Sequence, residues 1–351
     1  MTETKRDYWF DNAKTILILL VVVGHLAENL IIYTDFPEGD PHWLSVLFRA
    51  IYIFHMPGFL VISGRFARGR IDRNDWPAVI NKLLVPYLVL QTVMMIWLTF
   101  TGVASLSNFS YIGPVFGVWY LFNVTVYSLI TPRLKKVPYL FVIALVLAVV
   151  IQMARVAPAG GFMRVITYYP FFLFGYYSRN WNLDFCRKAW FRVVSVLAFV
   201  VLGVVVWKMP QYFPVEVLTM KRAFTGVLEY LGDISRLEFL IYTIGRYIVG
   251  FAFFFFVMGI APKKKTCISY VGTYSVYVYS LHLIIIILLR ALGKYYDFLD
   301  FFNNNWAAGI FVVLGIPLSM LLASGPVRKW MAWLAEPKFD IEQIINKLIK
   351  K

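Results

Sequence analysis

The chain has 351 residues, of which 60% are hydrophobic, 18% aromatic and only 15% charged, with a mean hydropathy of +0.69. A soluble domain carries about a quarter charged residues and under half apolar ones, so a water-soluble enzyme, a disordered chain and a disulfide scaffold are excluded. Thirty-four Lys and Arg stand against 19 Asp and Glu, a net charge of +15 that a membrane chain is expected to place in cytoplasmic loops rather than on nucleic acid.

The first apolar run, over 11–33, carries His25, Glu28 and Asn29. No small-residue cleavage site follows it, so it is expected to stay as a first span rather than leave as a signal peptide. Further hydrophobic segments follow at 44–64, 77–101, 115–131, 138–155, 163–178, 193–209, 239–260, 270–291 and 306–323. The fold class predicted is all-α: a polytopic bundle of about ten transmembrane helices in the cell membrane. With the N-terminus inside, 22 Lys and Arg fall on the inner side and eight on the outer, which predicts that both termini are cytoplasmic. Cys186 and Cys267 then lie in inner basic loops, where no disulfide is expected. Residues 210–238 form the longest outer loop and are positioned to cap a site from outside. The chain therefore divides into a membrane domain over 1–334 and a tail over 335–351. In the tail, Ile341, Ile344, Ile345, Leu348 and Ile349 alternate with lysines, the pattern of an amphipathic helix on the inner leaflet.

Ionisable groups inside spans are costly and mark function. On the first helix, Lys14 and His25 are eleven residues apart, about 1100° of rotation and about 16–17 Å of rise, so they share a face. Asp11 and Glu28 lie within roughly 60° of that line. One polar stripe thus runs inward from the cytosolic surface and ends in an imidazole. On the second helix His55 lies about midway and is able to face His25. A basic loop of Arg65, Arg68, Arg70 and Arg73 follows on the inner surface, near Lys82 of the third helix. Ser275, Tyr279 and His282 share one face of the ninth helix. Arg246 sits within the eighth, while Arg155, Arg164 and Tyr168 sit at the outer ends of the fifth and sixth. Plainer readings stand beside these. A membrane His often only bonds two helices together, Arg246 reads equally as bundle glue, and the four arginines also serve as topology signals. Trp43, Trp76 and Trp306 read as interface anchors, and His42 as an ordinary loop residue.

The four His are scattered, and no Cys or His-Glu-x-x-His pair joins them, so no metal is expected. Phosphate-loop, dinucleotide and Gly-x-Ser-x-Gly patterns are missing from the sequence. The residues instead suit acyl transfer across a membrane. His25 is a general base for a hydroxyl near neutral pH, and Glu28 or Asp11 can fix its tautomer, with Glu28 one turn away. A CoA donor carries several phosphate charges that require Arg and Lys at the cytosolic mouth, where Lys14, Arg65, Arg68, Arg70, Arg73 and Lys82 gather. The competing class is a proton-coupled transporter or glycan exporter that uses the same intramembrane His, Glu and Arg. A third is a non-catalytic member of a glycan-synthesis complex.

The sequence resembles the acyltransferase-3 family of membrane O-acyltransferases, near the fucose-4-O-acetylase-like branch. The resemblance rests on Lys14-x10-His25 within Tyr8-Trp9-Phe10-Asp11-Asn12-Ala13-Lys14, and on Phe54-His55-Met56-Pro57-Gly58-Phe59-Leu60-Val61-Ile62-Ser63-Gly64-Arg65. Val118-Trp119-Tyr120-Leu121-Phe122 and Tyr274-Ser275-Val276-Tyr277-Val278-Tyr279-Ser280-Leu281-His282 add to it. It implies that His25 is catalytic, that Asp11 and Lys14 are its partners, and that Arg65 belongs to the acyl-CoA site. It also implies transfer of an acyl group, usually acetyl, from cytoplasmic acyl-CoA to a sugar or polysaccharide hydroxyl facing outward, an O-acetyltransferase activity. Acetyl-CoA is then the co-substrate. His55, Trp119, Arg155, Arg164, Tyr168, Arg246, Ser275, Tyr279 and His282 are the expected acceptor-side residues. The family often has Arg at the position of Lys14. Many relatives add an extracytoplasmic hydrolase-like domain, and none is read here, so the bundle is expected to acylate its acceptor directly or through a separate chain.

Overall fold

A computed structural model of the chain describes residues 7–155 and 161–337. The described residues form a helical bundle. In chain order its main elements are α1 (Tyr8–Tyr33), α2 (His42–Asp72), α3 (Trp76–Phe100), α4 (Trp119–Leu134), α5 (Leu140–Met153) and α6 (Phe162–Tyr177). These are followed by α7 (Ala189–Lys208), α8 (Arg236–Ile260), α9 (Ser275–Tyr296), α10 (Asn305–Leu322) and α11 (Gly325–Ala335). Each of the ten predicted segments falls on one of α1 to α10. Among the described residues, seven helices are long and apolar enough to cross a membrane: α1, α2, α3, α7, α8, α9 and α10. The other three, α4, α5 and α6, have 16, 14 and 16 residues, short of the roughly 20 that a bilayer core asks of a straight helix.

Helix α1 is the central element. Asp7 caps it by accepting from the Trp9 amide at 3.0 Å. Ala13, Leu17, Val22, Ala27 and Leu30 are fully buried on it, and its polar side chains tie it to the last third of the chain. Trp9 Nε1 donates to the Met258 carbonyl at 2.9 Å, Asn12 Nδ2 to the Pro262 carbonyl at 2.7 Å, and Asn29 Nδ2 to the Ile286 carbonyl at 3.1 Å. Inside a bilayer such bonds have no water to compete with them, and they fix α1 against α8 and α9.

Helices α2 and α6 pack through glycine. A Cβ on Gly64 would stand 1.9 Å from the Phe172 carbonyl oxygen, and one on Gly175 would stand 1.9 Å from that of Val61. Small residues are what let two backbones approach this closely. Helix α3 contains a π-helical turn over Ile80–Leu84, which carries Lys82. Helix α7 turns a row of valines outward, with Val196, Val200 and Val204 all exposed, as a lipid-facing helix requires.

One expectation needs correction. The run Arg65 to Arg73 is not a loop: α2 continues through Asp72, and Arg73 is its C-cap. Arginine is a good helix former, so a basic run marks an aqueous surface without ending a helix. The 210–238 segment, expected to cap a site, is packed and places Thr219 and Lys221 in a cavity wall. It holds short helices at Val215–Leu218 and Leu228–Leu231 and a small core of Val217, Phe224, Val227 and Phe239. Arg49 Nη1 donates to its Pro210 carbonyl at 2.8 Å, and Thr167 Oγ1 to its Met220 carbonyl at 3.2 Å. The amphipathic tail expected over 335–351 lies outside the described residues beyond 337.

Candidate active site

A cavity of about 580 Å³ lies between α1, α2, α3, α4, α6 and α9, with the 210–238 segment contributing Thr219 and Lys221 to its wall. Along α1 it reaches from Lys14 to Glu28, about 21 Å by helix rise.

The end near the start of α1 and the end of α2 is basic. Lys14, Arg70 and Lys82 line it. Lys14 Nζ is 2.7 Å from Asp11 Oδ1 and also faces the Phe66 ring at 5.4 Å. The other arginines of this region turn elsewhere. Arg65 donates to the Ser178 carbonyl and lies 5.0 Å over Phe10. Arg68 bonds Asp72 at 3.2 Å, and Arg73 pairs with Asp75 at 3.8 Å. Asp11 itself does not line the cavity and acts there through Lys14.

His25 stands in the wall farther along α1. Its Nδ1 is 3.0 Å from Glu28 Oε2, and that same oxygen is 2.7 Å from Arg290 Nη2. Arg290 Nε donates to Asn29 Oδ1 at 3.0 Å, and its guanidinium lies 4.3 Å from the Phe116 ring centre. A carboxylate only accepts, so the imidazole proton sits on Nδ1 and the Nε2 lone pair is left for chemistry. The Tyr52 hydroxyl is 3.3 Å from the same Nδ1. The spacing of three residues that joins His25 to Glu28 is ordinary helix geometry. Arg290, eight residues beyond His282 on α9, completes the chain from another element.

His55 and His282 also line the cavity. Each donates from Nδ1 to the carbonyl four residues earlier, at 2.7 Å to Ile51 and 2.8 Å to Val278. A carbonyl only accepts, so both rings hold their protons on Nδ1. His282 Nε2 is buried with no hydrogen-bond partner among the described residues, and its ring centre is 5.5 Å from that of His25. Tyr279 donates to the Gly117 carbonyl at 2.9 Å, and Ser275 lies in the wall near the inner end.

The opposite end contains Trp119, Arg164 and Tyr168, together with Lys221. The Arg164 guanidinium lies 4.7 Å over the Trp119 ring. Arg155 is exposed and outside the cavity, and its backbone carbonyl accepts from Thr225. Arg246 also lies outside: it binds the Gln152 side chain and the Val217 carbonyl, and so holds the 210–238 segment to α8.

Sequence reasoning missed Arg290, Tyr52 and Lys221. Arg290 entered only as an outer topology charge. The signal available was an arginine at the end of an apolar run, facing a chain with a glutamate inside another apolar run, since neither charge is stable in a bilayer alone.

The acyltransferase-3 family, described as an acyltransferase domain, matches residues 7–324. The chain is 41% identical over 110 residues to a protein named Nodulation protein NolL from Sinorhizobium fredii, covering 31% of this chain and 28% of that protein. It is 43% identical over 96 residues to a protein of the same name from Mesorhizobium japonicum, covering 26% and 24%. The chain thus spans about a quarter of the length of the curated relatives it matches. No solved structure matches it.

Proposed function

The chain belongs to the acyltransferase-3 family, and from that premise we propose that it is a multi-pass O-acyltransferase of the cell membrane. In this reading it carries an acyl group from cytoplasmic acyl-CoA to a hydroxyl of a sugar or cell-surface polysaccharide outside. The motifs around Lys14-x10-His25 and Phe54 to Arg65 resemble the fucose-4-O-acetylase-like branch, which favours acetyl as the group moved. The observation that supports the reading is the cavity His25 shares with Lys14, Arg70 and Lys82.

The donor's phosphates bind the basic end, where guanidinium and ammonium groups face the cavity. The pantetheine arm then runs along the α1 stripe and brings the thioester to His25 Nε2. Two steps fit this placement. In the first, Nε2 removes the proton of the sugar hydroxyl as its oxygen attacks the thioester carbonyl. The C–S bond breaks, and the thiolate takes the proton back from the imidazolium to leave as CoA thiol. In the second, Nε2 itself attacks the thioester carbonyl and the C–S bond breaks to give an acyl-imidazolium and a CoA thiolate; the sugar hydroxyl then attacks the acyl carbon, the N–C bond breaks, and the hydroxyl proton passes to the thiolate to give CoA thiol and neutral imidazole. In both, Glu28 stabilises the cationic ring and Arg290 holds Glu28 in place. Ten crossings with cytoplasmic termini belong to the same proposal, supported by the 22 to eight distribution of Lys and Arg. So does a membrane partner that completes or receives the transfer.

The test is labelled acetyl-CoA supplied to inside-out membrane vesicles. Labelled glycan is expected, and His25→Ala with normal insertion lowers it by about a hundredfold or more. Full labelling by His25→Ala would remove His25 from the mechanism.

A further inference from the structure

The outer end of the cavity holds more positive than negative charge. Arg164, Lys221 and Arg290 line it, and Glu28 is the one carboxylate among the lining residues described. Glu28 is already engaged by His25 and Arg290 through a single oxygen. Neither Arg164 nor Lys221 has a carboxylate within 4.0 Å among the described residues. Glu216, on the short helix Val215–Leu218, acts on Lys221 only from beyond that distance. Burial, with Arg164 and Arg222 nearby, pushes the Lys221 ammonium below its ordinary value, the behaviour of a site short of negative charge. Arg164 Nε is buried with no hydrogen-bond partner among the described residues.

The backbone beneath Arg164 is fixed. Its carbonyl accepts from Asn123 Nδ2 at 3.1 Å and from the Tyr127 hydroxyl at 3.2 Å, while Trp119 supports the guanidinium face. Uncompensated cations in a membrane cavity are costly, and a site that keeps them rigidly in place is built for an anion that arrives with the ligand. The donor's phosphates do not supply it in this reading, because they bind at Lys14, about 21 Å along α1 from Glu28.

We infer that the acceptor sugar is itself anionic: Arg164 and Lys221 receive a carboxylate, phosphate or sulfate on it while a neighbouring hydroxyl faces His25. The inference rests on the cavity's reading as an acyl-transfer site and names the class of acceptor. Arg164 provides the planar fork that matches such an oxyanion, and Lys221, carried by the outer segment, closes over it as a point charge.

The experiment is equilibrium binding of D-glucose, D-glucuronate and D-glucose 6-phosphate to the full chain in nanodiscs at equal ionic strength. An Arg70→Gln, Lys82→Gln background removes two of the three cations at the basic end as competitors, and the third, Lys14, is paired with Asp11. At least one anionic sugar is expected to bind about tenfold or more tighter than glucose. The preference is expected to fall away in Arg164→Gln and in Lys221→Gln, and to return in part in Arg164→Lys. Equal binding of the three sugars, or an anion preference untouched by both glutamine variants, overturns the inference. The preference is also expected to persist in His25→Ala. A failed acyl transfer therefore counts against the enzymatic reading, and a failed charge preference counts against this one.

Discussion

His25, Glu28, Arg290 and Asn29 form a chain in which each polar group satisfies the next. An isolated carboxylate in this environment would be expensive, as would an isolated guanidinium. Paired and hydrogen-bonded to Asn29, they leave His25 with its proton on Nδ1 and a free Nε2. Glu28→Gln keeps the shape and removes the charge. The amide can donate to Nδ1, which drives the proton to Nε2 and takes away the lone pair. Transfer at saturating acetyl-CoA is expected to fall by about 10²–10⁴-fold, with the KM for acetyl-CoA nearly unchanged. A rate within a few-fold of wild type would remove the carboxylate from this role. Much of this was legible in the sequence, because Lys14, His25 and Glu28 share one helix and periodicity alone aligns them. Arg290 was not, since the pair joins residues 262 positions apart and no periodicity links them.

At the scale of elements, the cavity's walls are held by close helix contacts. The Gly64 and Gly175 approach sets how near α6 lies to α2, and with it the distance between Arg164 on one and Tyr52 and His55 on the other. Gly175→Ala places a carbon where the Val61 carbonyl oxygen stands, so one helix must move. The cost is expected to be about 1–3 kcal/mol, read as a lower unfolding temperature in detergent. Gly203→Ala, with nothing within 4 Å, is expected to leave that temperature unlowered. An unchanged temperature for Gly175→Ala would mean that the two helices do not pack through these residues. The positions of the helices were readable because long apolar runs leave few alternatives in a bilayer. The end of α2 was misread because charge reports exposure and says little about backbone conformation. The small core of the 210–238 segment, Val217, Phe224, Val227 and Phe239, was not legible because it is spaced too irregularly to show as a period.

For the molecule as a whole, the proposed topology places most of the Lys and Arg behind the net charge of +15 on the inner side. One cavity carries basic groups at both ends, with His25 between them. Such a layout suits a donor and an acceptor that enter from opposite sides and meet at one imidazole. The basic end near the start of α1 was visible in the sequence as a basic run, although only Arg70 of its four arginines lines the cavity. At the opposite end Trp119, Arg164 and Tyr168 were visible in the sequence, whereas Lys221 was not, because it reaches the wall through the fold of the 210–238 segment. The most direct measurement is an experimental structure of the full chain in nanodiscs with a non-hydrolysable acetyl-CoA analogue bound. The account predicts the analogue's phosphates against Arg70 and Lys82 and its acyl carbon within about 3.5 Å of His25 Nε2. An analogue bound outside this cavity, or one whose acyl carbon lies far from His25, would contradict it.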